Sequence, residues 1–250
     1  MKILSLGWGV QSWTLAAMSA LGYIEKFDYA IHADTLHESH LTYVFAKQWT
    51  KWLEDRGIKV VTVSTDFQDG TADKWGGVFI PAFTYSKKGN GMLRRQCTQR
   101  WKIAPIKRWL QANRNKEQVT QFLGISTDEA LRMKPSSVKY IVHKFPLIDM
   151  EMSRKDCKQW LTDHDLPIAP RSSCTFCPFH STKEWRLRKS IPQDWEKAVA
   201  VDKSIRDIRP PFPLFVHPAR IPLADVDLRT QEEKGQMSLW DEECAGICGV

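Results

Sequence analysis

The chain lacks any apolar run close to the roughly 20 residues that a membrane-spanning helix needs. Its first residues, MKILSLGWGVQS, reach glycine and glutamine too early for the apolar core of a signal peptide. Internal repeats and low-complexity tracts are also missing from the 250 residues. We therefore expect a cytoplasmic protein without a membrane partner, built as one large or two small domains.

The composition excludes several further classes of protein. Apolar residues make up 42% of the chain and charged residues 26%, which is ordinary for a globular protein and excludes general disorder, collagen and coiled coil. Disulfides are rare in the cytoplasm. The six cysteines are therefore better interpreted as metal ligands or catalytic thiols than as cross-links.

Acidic residues are missing from one stretch that is rich in basic ones. Between Ser86 and Arg108 there are eight lysines and arginines and no aspartate or glutamate. The whole chain has 36 basic and 29 acidic residues, a formal net charge of +7, so the remainder holds 28 basic against 29 acidic residues. The positive excess is local. It indicates a discrete anionic ligand, either nucleotide phosphates or a nucleic-acid backbone.

Strand and helix patterns alternate along the first 150 residues. Short apolar or β-branched runs predict strands at residues 2–6, 27–33, 58–63, 118–124 and 140–142. Helical periodicity separates the first three strands, and a basic helix is predicted over residues 104–113. This order is typical of an α/β fold in which helices flank a parallel sheet. No clear period marks residues 64–91.

The character of the chain changes near residue 150. Helices are predicted over residues 153–164, 182–189 and 193–207, and the turn PIAPRSSCTFCPFH is rich in proline and cysteine. We therefore predict an α/β domain over residues 1–150 and a helical, cysteine-rich region over residues 151–250.

The segment SLGWGVQS, from Ser5 to Ser12, joins the first strand to the first helix. Backbone N–H groups gather at such a helix N-terminus and favour anions, and Gly7 and Gly9 permit close approach to a phosphate. The alternative is a tight turn whose glycines serve only sterics. The loop has neither the Gly-Lys-Ser/Thr ending of a Walker A loop nor the G-x-G-x-x-G pattern.

This loop resembles the PP-loop, of the S-G-G-x-D-S type, in the adenine nucleotide alpha hydrolases. That superfamily includes ATP pyrophosphatases, tRNA thiolation enzymes and phosphoadenosine phosphosulfate (PAPS) reductases. The G-V-Q-S variant resembles a PAPS-reductase-like subgroup found in phages and bacteria. Further segments that resemble this subgroup are HADT (32–35), GMLRRQCTQRWKIAPI (91–106), GISTDEALRMKPS (124–136), RSSCTFCPFH (171–180) and ECAGICGV (243–250).

The resemblance implies a Rossmann-like sheet of the HUP type that binds ATP or a PAPS-like adenine nucleotide. The forked donors of the arginines in the basic segment suit phosphate or sulfate oxygens. For Asp34 the alternative role is to cap the next helix. The expected nucleotide-binding residues are Ser5, Gly7, Gly9, Gln11, Ser12, Asp34, Thr35, Arg94, Arg95, Lys102, Gly124, Ser126 and Arg132.

Metal-assisted chemistry is less secure than nucleotide binding. Gln11 stands where PP-loop enzymes often carry aspartate, and an amide cannot ligate Mg²⁺ as an anionic carboxylate does. Asp128 or Glu129 can hold Mg²⁺ or orient a nucleophile, and both are candidate catalytic residues. The alternative is that these two acids complement the dipole of a helix N-terminus.

The cysteines predict a metal site with two alternative ligand sets. Cys174 and Cys177 form a C-x-x-C turn, which supplies only two ligands. With Cys97 they resemble the three-cysteine [4Fe–4S] arrangement of tRNA thiolation enzymes. With Cys244 and Cys248 they would form a closed four-cysteine site that suits Zn²⁺ equally well. Cys97 and Cys244 are also candidate catalytic thiols, since Cys244 resembles the nucleophile in the E-C-G tail of sulfonucleotide reductases.

Three functions follow from these patterns. The leading hypothesis is attack at the α-phosphate of ATP coupled to sulfur transfer from a sulfur donor, with a nucleic-acid base as acceptor bound by residues 86–108. The second is a PAPS or adenosine phosphosulfate reductase that uses a thioredoxin-like reductant. The third is a non-catalytic, metal-stapled module that binds nucleic acid.

Overall fold

A computed structural model of the chain describes residues 1–64, 78–86, 89–230 and 233. Elements are numbered in chain order. The strands are β1 (Lys2–Ser5), β2 (Tyr29–Asp34), β3 (Lys59–Ser64), β4 (Phe83–Ser86), β5 (Gly89–Met92), β6 (Val119–Phe122), β7 (Ile141–Lys144) and β8 (Leu214–Phe215). The α-helices are α1 (Val10–Leu21), α2 (His40–Glu54), α3 (Ala104–Asn113), α4 (Pro146–Asp149), α5 (Arg154–Asp163), α6 (Thr182–Lys189) and α7 (Pro192–Ile205).

Five parallel strands form the main sheet in the order β3-β2-β1-β6-β7. β2 and β3 lie, in that order, on one side of β1, and β6 and β7 lie on its other side. β1 therefore marks the point at which the direction of winding reverses, and a crevice opens between the loops that follow β1 and β6. The predicted α/β fold with a parallel sheet flanked by helices is confirmed.

Two hydrophobic clusters cover the two faces of this sheet. One combines α1, α2 and α5 with the inner residues of β1 and β2, and it includes Trp13, which is fully buried. The other lies beneath α3, where Ile106 and Leu110 pack on Ile3 and Ile31. None of the helices in the described ranges is long and apolar enough to cross a membrane.

A second, antiparallel sheet of three described strands combines β4 and β5, at the end of the stretch without a clear period, with the distant β8. β4 and β5 form a hairpin, and β8 pairs with the other edge of β4. Gly89 begins β5 with a φ of +108°, a left-handed conformation that glycine adopts readily. β4 and β5 are each only four residues long, and β5 contains two glycines, so pairing rather than a local pattern defines them.

A third hydrophobic cluster joins early and late parts of the chain. It combines Phe79 and Trp101 with Phe176, Trp185 and Val201. Conversely, α5 follows residue 150 but packs in the first cluster through Cys157 and Leu161. Packing therefore connects the two sides of residue 150. The division into two domains at this residue stays a prediction.

A buried ion pair joins the C-terminal helices to the start of α2. Arg188 and Asp194 are each about 2% exposed at the side chain, and their closest N–O distance is 2.7 Å. The Asp194 carboxylate also accepts hydrogen bonds from the Ser39 hydroxyl, at 2.7 Å, and from the His40 backbone N–H, at 2.8 Å. Asp194 thus caps α2 from a distant element and holds α6 and α7 against the α/β region.

Removing this carboxylate is predicted to be strongly destabilising. Asp194→Ala leaves the Arg188 guanidinium buried and unpaired, so the free energy of unfolding should fall by about 3–5 kcal/mol in urea denaturation. Asp227→Ala is the matched control, because it breaks the exposed Asp227–Arg229 pair, and it should leave stability nearly unchanged. Equal losses in the two variants would contradict this role for Asp194.

Candidate functional site

A cleft of about 360 Å³ lies at the carboxyl ends of the parallel strands, where the loops that follow the neighbouring strands β1 and β6 separate. Loops after β1, β2 and β6 form part of its lining, and the basic segment and the C-x-x-C turn supply the remainder. Most of the predicted site residues meet here. Those that line the cleft are Ser5, Gly7, Gly9, Gln11, Ser12, Thr35, Arg95, Cys97, Lys102, Gly124, Glu129, Arg132, Cys174 and Cys177.

The loop after β1 directs the N-terminus of α1 into this cleft. Gly9 is the N-cap residue, no side chain caps α1 in the described structure, and the first turn holds no acidic residue. The Ser12 hydroxyl accepts a hydrogen bond from the Gly7 backbone N–H and donates one to the Gly9 carbonyl, each at 3.2 Å. Serine therefore fixes the loop, and the partial positive charge of the helix end faces the cleft.

Buried aromatic packing anchors the same loop from below. The backbone of Trp8 has a φ of +56°, which is unusual for a residue with a side chain. Its indole is 1% exposed and packs against Trp13 and Phe45, with ring centroids 6.2 Å away in each case. The indole holds the strained backbone in place, so the loop is rigid before any ligand arrives.

Gly124 allows the loop after β6 to lie directly against α1. A Cβ atom at this position would lie 2.7 Å from the Ser12 backbone nitrogen and 3.0 Å from two further backbone atoms. The Gln11 side chain in α1 donates a hydrogen bond to Ser126 in this loop at 3.4 Å, and Gln121 in β6 donates one to Ser5 in β1 at 2.7 Å. Gln11 therefore connects α1 to the loop after β6.

Among the residues that the structure describes, five cations and one carboxylate line the cleft. Glu129 pairs with Arg132 at 2.7 Å, and Arg171 pairs with Glu184 at 2.7 Å. The positive residues are Arg95, Lys102, Arg132, Arg154 and Arg171. Sequence reasoning did not single out Arg154, the first residue of α5, or Arg171, which opens the segment RSSCTFCPFH ahead of the C-x-x-C turn.

Glu38 is a buried carboxylate that sequence reasoning missed. It is 1% exposed, and it bonds to Lys102 Nζ at 3.0 Å and to the Ser172 hydroxyl at 3.4 Å. Burial alone would lower the pKa of Lys102, but the negative charge of Glu38 raises it above its ordinary value. Lys102 therefore stays charged at the cleft wall.

Asp34 and Asp128 do not line the cleft. One oxygen of Asp34 accepts hydrogen bonds from the Leu36 backbone N–H at 2.8 Å and from the Tyr43 hydroxyl at 2.7 Å. Asp128 accepts from the Arg154 backbone N–H at 2.9 Å, at the first residue of α5. Asp34 does not cap α2, whose N-cap residue is Ser39. The binding role of Asp34 and the catalytic role of Asp128 stay predictions.

Three cysteines share the cleft wall, but their geometry does not form a metal site. Within the described ranges no group of three or more His, Cys, Asp or Glu side chains is placed to hold a metal ion. Cys174 Sγ lies 3.4 Å from the Thr35 hydroxyl, and burial, aided by Glu38, raises its pKa above the ordinary value of a thiol. Cys244 and Cys248 lie outside the described residues.

A buried histidine extends the same wall and was also missed from the sequence. His180 Nε2 lies 3.0 Å from the Ser173 hydroxyl, and both residues line the cleft. Burial, together with the positive charges of Arg188 and Arg171, lowers the pKa of His180 to about 3. The imidazole is therefore neutral at physiological pH and adds no charge to the site.

The basic segment divides between the cleft and the surface. Arg94 is exposed and does not line the cleft, while Lys87 and Lys88 lie outside the described residues. Trp101 is 1% exposed in the third cluster, and Trp109 packs against Tyr29 at 5.0 Å. This packing gives both tryptophans a structural role, although they alternate in sequence with the basic residues.

Comparison with known proteins gives a limited result. No protein-family profile and no curated protein sequence matches this chain. Among solved structures the chain is similar to a phosphoadenylyl-sulfate (PAPS) reductase from Candida auris in its phosphate complex. Sequence identity is 13%, the TM-score is 0.46, and the match covers 67% of this chain and 74% of that one.

The close approach at Gly124 leads to a direct prediction. Gly124→Ala must push the first turn of α1 away from β6, because backbone atoms of Gln11 and Ser12 occupy the space of the new methyl group. We expect a loss of about 1–3 kcal/mol in the free energy of unfolding, measured by urea denaturation.

Gly91→Ala is the matched control for this substitution. A Cβ atom there meets only the Thr84 methyl group, at an ordinary 3.8 Å, so stability should change little. A Gly124→Ala variant as stable as Gly91→Ala would show that the two loops are not in contact as described.

Proposed function

We propose that the cleft binds an adenine nucleotide through its phosphates and that the chain is a PP-loop enzyme acting at the α-phosphate. One observation carries the proposal. The uncapped N-terminus of α1 opens into a cleft that five cations line, at the point where the parallel sheet reverses its winding. Helix N-termini at such crevices are suited to phosphate groups.

The charge balance favours a polyanion over a single carboxylate. Glu129, Glu38 and Glu184 offset part of the charge of Arg132, Lys102 and Arg171, while the salt bridges among the described residues include neither Arg95 nor Arg154. Glu38 and Glu184 lie behind Lys102 and Arg171 and orient them without removing their donors from the cleft. Several phosphates in a row match several cations spread around one cleft.

This arrangement suits displacement of pyrophosphate from ATP. A nucleophile on the substrate attacks the α-phosphorus, the bond from this phosphorus to the β-phosphate oxygen breaks, and pyrophosphate leaves with its negative charge. Cations near the departing phosphates stabilise that charge as it develops. A sulfur or nitrogen nucleophile then displaces AMP from the adenylated substrate. The wall that carries Cys97, Cys174 and Cys177 supports coupling to sulfur transfer.

Both predicted metal sites carry no step of this proposal and remain predictions from the sequence: the three-cysteine [4Fe–4S] set, and the four-cysteine set with Cys244 and Cys248 that suits Zn²⁺ equally well. The same holds for Mg²⁺. The one carboxylate that lines the cleft in the described structure, that of Glu129, is already paired with Arg132. A nucleic-acid acceptor rests only on the exposed part of the basic segment, where Arg94 and Arg100 face solvent.

The cysteine-bearing wall also favours a second candidate, a sulfonucleotide reductase. In that reaction a cysteine thiolate attacks the sulfur of PAPS, the sulfur–oxygen bond to the phosphate breaks, and adenosine 3′,5′-bisphosphate leaves. A dithiol reductant then releases sulfite and is itself oxidised to a disulfide. Cys174 is a poor nucleophile for this step, because its raised pKa keeps the thiol protonated.

Product analysis separates the two reactions. Purified protein should be incubated with ATP and assayed for pyrophosphate, and incubated with PAPS plus thioredoxin and assayed for sulfite. Pyrophosphate release supports the leading proposal, and sulfite release supports the reductase. Tight nucleotide binding without either product would indicate a non-catalytic module, and failure to bind either nucleotide would contradict both enzyme assignments.

Ser12→Ala tests the phosphate loop directly. The substitution removes the hydroxyl that holds the Gly7 N–H and the Gly9 carbonyl, so the loop loses its preorganised shape. We expect nucleotide affinity to fall about 10-fold in isothermal titration calorimetry, because the loss of one hydrogen bond of about 1.4 kcal/mol corresponds to a tenfold change in Kd.

Ser204→Ala is the control, because its hydroxyl makes a comparable bond to the Val201 carbonyl in α7, far from the cleft. It should bind the nucleotide as the unmodified protein does. Unchanged affinity in Ser12→Ala would contradict binding at this loop.

A further inference from the structure

The cleft has a second wall of different chemistry. Where the loop after β1 offers backbone N–H groups and serines, this wall is apolar and belongs to the third hydrophobic cluster. Ile80, Pro81, Phe176 and Pro178 contribute to it. A phosphate ligand gains nothing from such a surface, so the wall fits an uncharged part of the same ligand or of its reaction partner.

Arg95 and Phe179 form a pair on this wall. The guanidinium carbon of Arg95 lies 5.8 Å from the centroid of the Phe179 ring, and both side chains line the cleft. They come from segments far apart in sequence, since Arg95 lies in the basic segment ahead of α3 and Phe179 follows the C-x-x-C turn. Arg95 is exposed and Phe179 is half-buried, so both have surface that faces the cleft.

A planar cation beside an aromatic ring has a specific partner chemistry. Guanidinium groups and phenyl rings both stack on the faces of flat heteroaromatic rings, and bases bound this way are held without sequence preference. A sugar or a simple aliphatic group would make no comparable use of the planar guanidinium. The pair therefore fits a nucleobase, in the same cleft that Cys97 and Cys177 line.

We propose that Arg95 and Phe179 form a stacking site for a nucleobase, supplied either by the bound nucleotide or by a nucleic-acid acceptor. This proposal depends on the proposed function in one respect only, namely that phosphates bind at the N-terminus of α1. The chemistry of the two sources is the same, a flat heteroaromatic ring against Phe179 and the guanidinium, and binding measurements can distinguish them.

The test compares ligands with and without a base. ATP, inorganic tripolyphosphate and a single-stranded octanucleotide are titrated into the full chain and into Phe179→Leu by calorimetry. Loss of one stacked base should weaken binding roughly 5- to 100-fold. We expect this loss for ATP if the base is the adenine ring, or for the octanucleotide if it belongs to the acceptor, and no change for tripolyphosphate.

Three variants keep the result interpretable. Phe179→Trp preserves stacking and should retain or improve affinity for the base-bearing ligand. Arg95→Lys keeps the charge but loses the planar guanidinium, so affinity for the base-bearing ligand should fall. Phe145→Leu, at a half-buried aromatic residue that does not line the cleft, should bind all three ligands as the unmodified protein does.

The outcomes separate this proposal from the proposed function. Unchanged affinity of Phe179→Leu for both base-bearing ligands, or an equal loss for tripolyphosphate, would overturn the stacking site. Tripolyphosphate binding by the unmodified protein that is as tight as ATP binding, with no octanucleotide binding, would overturn it too but leave the phosphate site intact. Octanucleotide binding that depends on Phe179, without tripolyphosphate binding, would support the stacking site and contradict the nucleotide assignment.

Discussion

The close approach between Gly124 and the first turn of α1 is the constraint on which the cleft depends. Only a residue without a side chain lets the loop after β6 lie against the Ser12 backbone. This contact fixes the crevice at the reversal point of the sheet. The N-terminus of α1 then faces the cleft directly, and the Ser12 hydroxyl and the buried Trp8 hold the loop in shape.

The remaining walls come from segments that only tertiary packing brings together. The buried pair of Glu38 with Lys102 connects the end of β2 to the basic segment, and Ser172 joins it from the C-x-x-C turn. The third hydrophobic cluster holds that turn against the segment. A local excess of positive charge in the sequence thereby becomes one side of an anion-binding cleft, while its outer residues remain at the surface.

Much of this architecture could be predicted from the sequence, because apolar periodicity and capping residues act locally. The predicted helix over 104–113 coincides with α3, and the helix predicted over 153–164 corresponds to α5, which Ser153 caps. The β4–β5 pair could not be predicted, since strands of four residues, one of them with two glycines, gain order only from pairing. Glu38 and His180 were missed for a related reason: isolated residues become functional only through burial, and no spacing in the sequence reports burial.

The central claim is that the N-terminus of α1 receives phosphate groups, and an NMR titration tests it most directly. Inorganic tripolyphosphate is added to ¹⁵N-labelled protein, and the backbone amide resonances are followed. The account predicts that the amides of residues 7–12 and of Gly124 shift together and saturate at one affinity. Saturable shifts confined to exposed residues of the basic segment, with the amides of residues 7–12 unmoved, would contradict it.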